Sequence, residues 1–317
     1  MKHLIYPVFL PMLGCPHRCI YCDQNKISGV DSLDMEKELA GANRFVANHP
    51  HTPKEIAFYG GSFTALSPEK RQELTDKFKA VIDPCTSFRI STHPLYINMA
   101  ILAECKAQNI RCIELGIQDF CTEVLLASGR PYNTATAIKA VKLVIDSGFT
   151  LGIQLMPGLP ASNLDTITQN KHILEKLKPA YLRIYPLIVI RGTPLEQQYL
   201  QGDYTPLSME EAIGICADYA DFAAQTGIRL IKTGLPSNLK PGDVVAGPYH
   251  PAFGEFVMAE LLIRQITNLA SKNQEIILDK KQRTLILSHK GRFVDILKKR
   301  LENCLISQEV LNYLFGR

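Results

Sequence analysis

An α/β fold built on a parallel sheet is predicted for this chain of 317 residues by two features of its sequence. Short apolar segments bounded by turn residues alternate with longer segments of helical periodicity, and six such pairs follow one another. Successive strand–helix units place neighbouring strands parallel, with the helices packed outside the sheet. Six units are too few for the closed barrel of eight strands.

The six predicted pairs follow one another without a linker or a repeat. Strands are expected at residues 4–10, 55–59, 87–92, 112–117, 149–156 and 181–189. Helices are expected at residues 34–48, 68–82, 95–108, 121–128, 134–147 and 164–177. Ser67 followed by Pro68 is a typical helix start, and Gly148 stands where the fifth helix should end. These end signals agree with the periodicity.

The C-terminal part departs from this regular order. A further helix is expected at 208–226 and a strand from Ile228 to Lys232. The tail beyond residue 270 is expected to hold two short strands and a helix. We therefore expect a core domain at residues 1–235 and a small α+β extension at 236–317.

Composition and charge exclude several classes of protein. The chain is 46% hydrophobic and 21% charged, as in ordinary globular proteins. The apolar stretch from His3 to Leu13 is too short to span a membrane, and an odd number of cysteines argues against a secreted disulfide scaffold. We expect a cytoplasmic protein that does not contact a membrane.

Positive charge is concentrated near the C-terminus. Residues 270–317 contain ten Lys or Arg and five Asp or Glu, which makes this segment basic while the rest is near neutral. A basic appendage can contact nucleic acid, and a solvated helix face explains the same excess equally well.

Three cysteines in one short segment are the strongest sign of chemistry. Cys15, Cys19 and Cys22 have the spacing CxxxCxxC, which nine cysteines in 317 residues produce by chance with odds of about 0.007. Three thiolates can hold three irons of a 4Fe–4S cluster and leave the fourth iron open. The alternatives are a zinc site, a disulfide or buried thiols, and zinc would normally take a fourth ligand at matched spacing.

Further polar and glycine residues stand at predicted strand ends, where parallel α/β proteins bind their ligands. The second strand ends in Gly60-Gly61-Ser62, and paired glycines let the backbone approach a ligand closely. A plain tight turn explains the glycines as well. The other strand-end candidates are Ser91, Glu114, Gln118, Arg130 and Gln154.

The cysteine spacing resembles that of radical S-adenosylmethionine (SAM) enzymes, whose fold is an open six-unit partial (β/α)6 barrel. The resemblance implies a 4Fe–4S cluster on the three cysteines and SAM bound to its open iron. Gly60, Gly61 and Ser62 resemble the "GGE"-type motif whose backbone binds the SAM amino group. The segment from Glu114 to Asn133 resembles an element of the Elongator catalytic subunit and of oxygen-independent coproporphyrinogen oxidase.

That element implies roles for individual side chains around SAM. Gln118 would contact the ribose and Arg130 the carboxylate, while Glu114 would hold Arg130 or the ribose. Gln154 stands where coproporphyrinogen oxidase has Asp. Ser91 replaces a Glu of the relatives, and His93 is a possible local substitute for that Glu.

The sixth unit and the loop beyond the barrel supply candidates for the substrate side. Residues 184–195 are close to the "LYPxLVIRGTxL" segment of the Elongator catalytic subunit, which points to Tyr185 and Arg191. The loop at 245–255 contains Tyr249, His250 and Glu255 and is interpreted as a substrate lid or, equally, as a structural Ω-type loop. The acetyltransferase domain of that family is not expected in this sequence.

The implied activity is reductive cleavage of SAM to a 5′-deoxyadenosyl radical that abstracts a hydrogen atom from a substrate. An external electron donor of the flavodoxin or ferredoxin type would be needed. The first substrate hypothesis is tRNA or another RNA, and the second is a small, tetrapyrrole-like molecule. A non-catalytic iron–sulfur partner protein is a third possibility. The sequence indicates no oligomeric state.

Overall fold

A curved sheet of parallel strands is the centre of the computed structural model, which describes residues 4–15, 17–235, 239–272 and 274–301. In these residues the sheet contains, in sequence order, β1 (Leu4–Phe9), β2 (Lys54–Tyr59), β3 (Thr86–Thr92), β4 (Ile110–Gln118), β5 (Thr150–Leu155), β6 (Tyr181–Ile184) and β8 (Arg229–Thr233). Neighbours in this order are hydrogen-bonded, and every pair is parallel. The predicted open α/β barrel is confirmed.

The sixth strand is shorter than predicted. It ends at Ile184, because Pro186 has no N–H with which to continue the ladder. The chain then leaves the sheet, and β7 (Val189–Ile190) pairs antiparallel with β9 (Val244–Ala246). The predicted strand at 228–232 is β8, which pairs with β6 and becomes the seventh strand of the sheet.

The helices of the described residues are α1 (Gln24–Ser28), α2 (Met35–Ala47), α3 (Pro68–Lys79), α4 (Met99–Ala107), α5 (Thr122–Ala127), α6 (Thr134–Asp146), α7 (Leu164–Leu177), α8 (Pro194–Gln201), α9 (Met209–Thr226), α10 (Phe253–Ser271), α11 (Lys280–Leu287) and α12 (Arg292–Leu301). Helices α1 to α9 lie in the connections between strands, and helices α10 to α12 follow the last strand, β9. The Ser67 hydroxyl accepts a hydrogen bond from the backbone N–H of Lys70, so α3 has the predicted cap.

The expectation of two short strands beyond residue 270 is wrong for residues 274–301, which form α11 and α12 and contain no strand. Asp279 begins α11 in a capping box with Gln282. In α12 the buried residues Phe293, Leu297 and Leu301 recur every four positions, which is the period of a helix face and not of a strand.

The core of the barrel continues into the C-terminal extension. One cluster of buried apolar side chains joins strand residues such as Ile113 to Phe256 and Ile263 of α10 and to Leu297 of α12. The division at residue 235 into two domains therefore stays a prediction, since apolar packing crosses it. Among the described residues, no helix combines the length and apolar character needed to cross a membrane.

Candidate active site

The loop that carries the cysteines lies across the carboxyl ends of β1 and β2. Its backbone is tied to the end of β2 by three hydrogen bonds: Leu10 N–H to Tyr59 O at 2.7 Å, Met12 N–H to Gly60 O at 2.9 Å and Ser62 N–H to Leu13 O at 3.0 Å. These backbone hydrogen bonds hold the cysteine loop and the Gly60-Gly61-Ser62 turn together.

Glycine is required where these two segments touch. A Cβ on Gly61 would lie within 3.0 Å of the Leu13 carbonyl oxygen, and a Cβ on Gly14 would lie within 3.0 Å of the Ser62 carbonyl oxygen. Both neighbours are backbone atoms, which cannot move aside as a flexible side chain can. Gly14 and Gly60 also have positive φ angles, of 72° and 86°, which favour glycine.

Each of the three predicted cysteines has a polar neighbour. Cys15 Sγ lies 3.5 Å from Ser62 Oγ, Cys19 Sγ accepts from Arg130 Nη1 at 3.1 Å, and Cys22 Sγ accepts from Gln24 Nε2 at 3.4 Å. Burial raises the pKa of the Cys22 thiol to about 12 and also raises the pKa of Cys15. Both thiols therefore need a bound cation if they are to ionise near neutral pH.

All three cysteines line one cavity of about 430 Å³. This volume lies within the usual range for small-molecule sites, roughly 300–1,000 Å³. The cavity opens at the carboxyl ends of the strands, and its wall includes all eight predicted cofactor-binding residues. These are Gly60, Gly61, Ser62, Ser91, Glu114, Gln118, Arg130 and Gln154.

Gln118 has an unusual backbone at the end of β4. Its φ angle is 70°, a left-handed conformation that costs a residue with a Cβ about 1–3 kcal/mol. Its amide oxygen accepts from Gln154 Nε2 at 3.1 Å, so the ends of β4 and β5 present a pair of linked amides to the cavity. Strain at a cavity wall is typical of a functional position.

Arg130 is buried and its guanidinium is already well bonded. Nη1 donates to Cys19 Sγ and to Tyr21 Oη, Nε donates to Tyr132 Oη at 3.0 Å, and Nη2 donates to the Gly116 carbonyl. The predicted contact with a SAM carboxylate is not tested by these bonds. They do place a permanent positive charge beside one of the three thiols.

Comparison with known proteins gives the family. The model of the Radical SAM superfamily matches residues 9–170, which is just over half of the chain, and that of the Radical SAM C-terminal domain matches residues 179–262. This chain belongs to the radical SAM superfamily. It is therefore an enzyme of that superfamily, and its relatives include proteins of the Elongator type.

Two relatives and one solved structure show which proteins this radical SAM enzyme is similar to. It is 32% identical to the tRNA uridine(34) acetyltransferase of Methanocaldococcus jannaschii over 53% of its length, and 29% identical to mouse (Mus musculus) Elongator complex protein 3 over 64%. It spans only 35% and 46% of those two proteins. The archaeal Methanocaldococcus infernus Elp3, with residues 1–46 deleted, shares the fold with a TM-score of 0.65 at 18% identity, covering 88% of this chain and 69% of that one.

The donor set of the cavity fits the cluster that the superfamily implies. Cys15, Cys19 and Cys22 line the cavity from one loop, and each thiolate of an iron–sulfur cluster binds a different iron. Three thiols that face one cavity from one loop therefore suit a cluster.

The structure gives Glu114 different partners from those that the resemblance implied. Its carboxylate accepts from Arg183 Nε at 2.6 Å, from Arg89 Nη1 at 2.5 Å and from Tyr59 Oη at 3.1 Å, but not from Arg130. Burial acts to raise the pKa of Glu114, and the two guanidinium groups outweigh it and hold the pKa below its usual range. The expectation that Glu114 holds Arg130 is wrong, because Arg130 lies on the cysteine side of the cavity.

Ser91 lies near the end of β3 and His93 directly follows this strand, and both residues line the cavity. Burial and the charge of Arg130 lower the pKa of His93 to about 2, so the imidazole is neutral. Its ring packs edge-on against Tyr132 at 5.0 Å, and its Nδ1 accepts from the Leu95 N–H. His93 therefore cannot supply the negative charge of the Glu that Ser91 replaces.

The tentative substrate residues separate into two groups. Tyr185 lines the cavity and its hydroxyl accepts from Arg183 Nη1 at 3.3 Å. Arg191 instead donates to the Gly242 carbonyl, outside the cavity lining.

The candidates from the loop at 245–255 are also outside the lining of the cavity. Tyr249 packs beside Ile188 and Ile190, and the His250 ring packs on Phe256 at 4.4 Å. Glu255 pairs with His289 at 2.9 Å in the C-terminal extension. This loop ends in the first turn of α10, and we leave its residues out of the proposed site.

One polar and two charged residues of the cavity wall were not predicted from the sequence, namely Tyr59, Arg183 and Lys232. Arg183 lies within an apolar strand, in the run Tyr-Leu-Arg-Ile, and a charged residue on a buried strand needs a partner. The charge of Arg183 on an apolar strand could have been recognised from the sequence. The partner of Arg183 could not, because Glu114 lies 69 positions away.

Proposed function

We propose that this enzyme binds a 4Fe–4S cluster through Cys15, Cys19 and Cys22 and cleaves SAM reductively to act on a base of RNA. The observation that supports the proposal best is the single cavity at the strand ends, where the three thiols meet the glycine turn and Gln118. When bound, the cluster and SAM supply a 5′-deoxyadenosyl radical and methionine, and the radical takes a hydrogen atom from the substrate.

The chain's own residues would position SAM. The backbone at Gly60 and Gly61 is free of side chains and can bond to the amino group, and Ser62 adds a hydroxyl beside Cys15. The linked amides of Gln118 and Gln154 offer both donors and acceptors for ribose hydroxyls. The hydrogen bond from Arg130 Nη1 to Cys19 Sγ would hold that sulfur in position for the cluster.

The cavity wall would also protect a radical from water and oxygen. Tyr21 is buried beside the cysteines and packs with Met156 and Leu187 in one apolar cluster. Reduction requires an external one-electron donor, for which a flavodoxin or a ferredoxin is the expected class. The exposed cysteine loop beside His17 and Arg18 is the nearest surface for that donor.

An RNA substrate is proposed from the kind of relatives that this chain resembles. One of them is a tRNA uridine(34) acetyltransferase, and it is 32% identical to this chain. The basic tail supports RNA binding less than its composition suggested, since Arg292 pairs with Glu210 and Arg300 with Glu260. The cluster Lys298-Lys299-Arg300 therefore has less free charge than expected.

A first experiment tests the chemistry. Anaerobically reconstituted protein is reduced with dithionite and SAM, and 5′-deoxyadenosine is measured by chromatography. We expect production by the wild type and none by Cys19→Ala, because one iron would lose its ligand. Cys121→Ala is the matched control, since Cys121 packs in the same apolar cluster but lies outside the triplet. Equal loss in both variants, or a wild type that binds no iron, would contradict the proposal.

A second experiment tests the substrate. Nucleosides of tRNA from a deletion strain are compared by mass spectrometry with those of the parent strain. Loss of one modified nucleoside, restored by the wild-type gene and not by Cys19→Ala, supports RNA. An unchanged nucleoside profile with an altered small-molecule profile favours the second candidate, a small tetrapyrrole-like substrate. That candidate is supported by the Gln118 and Arg130 elements that this chain shares with coproporphyrinogen oxidase.

A further inference from the structure

The last two strands of the sheet, β6 and β8, each place one cationic side chain on the wall of the cavity. Arg183 of β6 and Lys232 of β8 are register partners, so they stand side by side on neighbouring strands. Both side chains line the same cavity as the cysteines. In the order of the sheet, β8 is the strand furthest from β1, which leads into the cysteine loop.

The charges on this wall do not cancel. Arg183 and Arg89 are matched by Glu114 and Glu55, which makes that group formally neutral. Lys232 is exposed at the mouth of the cavity, and within the described ranges its ammonium has no hydrogen bond or ion pair. Among the residues described, the Lys232 ammonium is therefore an unpaired positive charge at the mouth of the cavity.

The neighbouring Arg183 has spare donor capacity as well. Nε and Nη2 donate to Glu114 and Tyr59, whereas Nη1 carries two N–H groups and, among the residues that the structure describes, donates only to Tyr185 Oη, at 3.3 Å. A guanidinium N–H and a lysine ammonium on adjacent strands form a site for an anion.

We propose that Lys232, with Arg183 behind it, binds a backbone phosphate of the RNA substrate at the mouth of the cavity. This inference rests on the proposed function and adds a specific contact to it. Lys232 is solvent-exposed, so a phosphate can reach it while the base attached to the same strand enters the cavity. Phosphate contacts position a nucleic acid without reading its sequence, and this is the role assigned to Lys232.

The test measures RNA binding by the reconstituted enzyme as a function of salt. The probe is an unmodified tRNA transcript with uridine at position 34, with affinity determined by filter binding at several KCl concentrations. For Lys232→Ala we expect affinity to fall about tenfold, the size of one hydrogen bond to a charged group. The slope of log affinity against log salt should become shallower by about 0.7–1, which corresponds to one lost phosphate contact.

Two further variants make the result specific. Lys232→Arg keeps the charge and should retain the wild-type salt slope. Arg229→Ala removes an exposed cation from the same strand, three residues away and outside the cavity lining, and should leave affinity and slope unchanged. Iron content and thermal unfolding are measured for each variant, so that loss of structure is recognised.

The outcomes separate the two proposals. If the wild type binds the transcript and Lys232→Ala binds it with the same affinity and slope, the phosphate site is wrong and the proposed function stands. Equal effects of Lys232→Ala and Arg229→Ala would also overturn the site, since they indicate diffuse charge attraction. If the wild type cleaves SAM but binds no RNA, both the RNA substrate and the phosphate site are wrong.

Discussion

Arg89 is a fully buried guanidinium held between two carboxylates, Glu55 at 2.6 Å and Glu114 at 2.5 Å. Its partners come from the strands on either side, β2 and β4, so that the pairings cross the sheet below the cavity. A buried charge is costly unless it is paired and hydrogen-bonded. These three side chains therefore stabilise the wall of the cavity only when all of them are present. Glu114 in turn holds Arg183 in place.

At this residue scale, we predict that Arg89→Met is strongly destabilising. The variant leaves Glu55 without this partner and Glu114 with less positive charge, and removal of one member of a buried ion pair costs about 3–5 kcal/mol. The measurement is thermal unfolding of the reconstituted enzyme by calorimetry. The control is Arg111→Met, the same change at an exposed position of β4, which should stay within about 0.5 kcal/mol of the wild type. A similar small effect at Arg89 would show that the buried network contributes little.

Among the elements, the cysteine loop and the end of β2 depend on each other. The loop has little regular structure of its own, and its position comes from backbone hydrogen bonds to Tyr59, Gly60 and Ser62. A second contact comes from the turn after α5, where the Ile20 N–H donates to Ser128 O at 3.3 Å. The three thiols thus face the cavity because two neighbouring turns hold the loop between them.

At the scale of elements, we predict that Gly61→Ala impairs cluster binding. The added Cβ would collide with the Leu13 carbonyl and push the cysteine loop away from β2. Most of the iron bound after anaerobic reconstitution should be lost, as measured by iron and sulfide content and by visible absorption. Gly214→Ala on α9 is the control, since its Cβ would meet no atom closer than 3.8 Å, and alanine should stabilise a helix there. Full iron content in Gly61→Ala would contradict the role assigned to this contact.

On the scale of the whole molecule, the C-terminal extension is packed onto the barrel by apolar and ionic contacts together. Phe293 of α12 packs against Phe256 of α10 at 5.6 Å, and Arg300 reaches Glu260 at 2.9 Å. These contacts lie outside the lining of the cavity. The described residues of the extension therefore add to stability without forming part of the proposed site.

For the whole molecule, we predict that Phe293→Ala lowers the stability of the fold but leaves cluster binding unchanged. Loss of this buried ring should cost about 3–5 kcal/mol in unfolding free energy. Iron content at low temperature should nevertheless match the wild type, because no cavity residue is disturbed. Leu287→Ala, at an exposed position on α11, serves as the control and should have little effect. Loss of iron in Phe293→Ala before any unfolding would indicate that the extension does support the site.

Local patterns predicted much of this structure. Five of the six regular strands lie close to their predicted positions, because an apolar segment between turn residues is a property of neighbouring residues. The sixth was predicted too long, since the apolar run to Val189 conceals the break that Pro186 causes. Residues 274–301 form two helices where two short strands and one helix were expected, and the four-residue period of Phe293, Leu297 and Leu301 is the helical signal in this segment.

The sequence by itself determined the cysteine spacing, the strand–helix alternation and the glycine turn, since each depends on residues within a few positions of one another. Only the tertiary structure decided which distant side chains meet. Glu114 binds Arg183 and not Arg130, and Lys232 stands beside Arg183, because strand order and register bring these residues together. Spacing along the chain does not encode that register, whereas the packing of the whole sheet does.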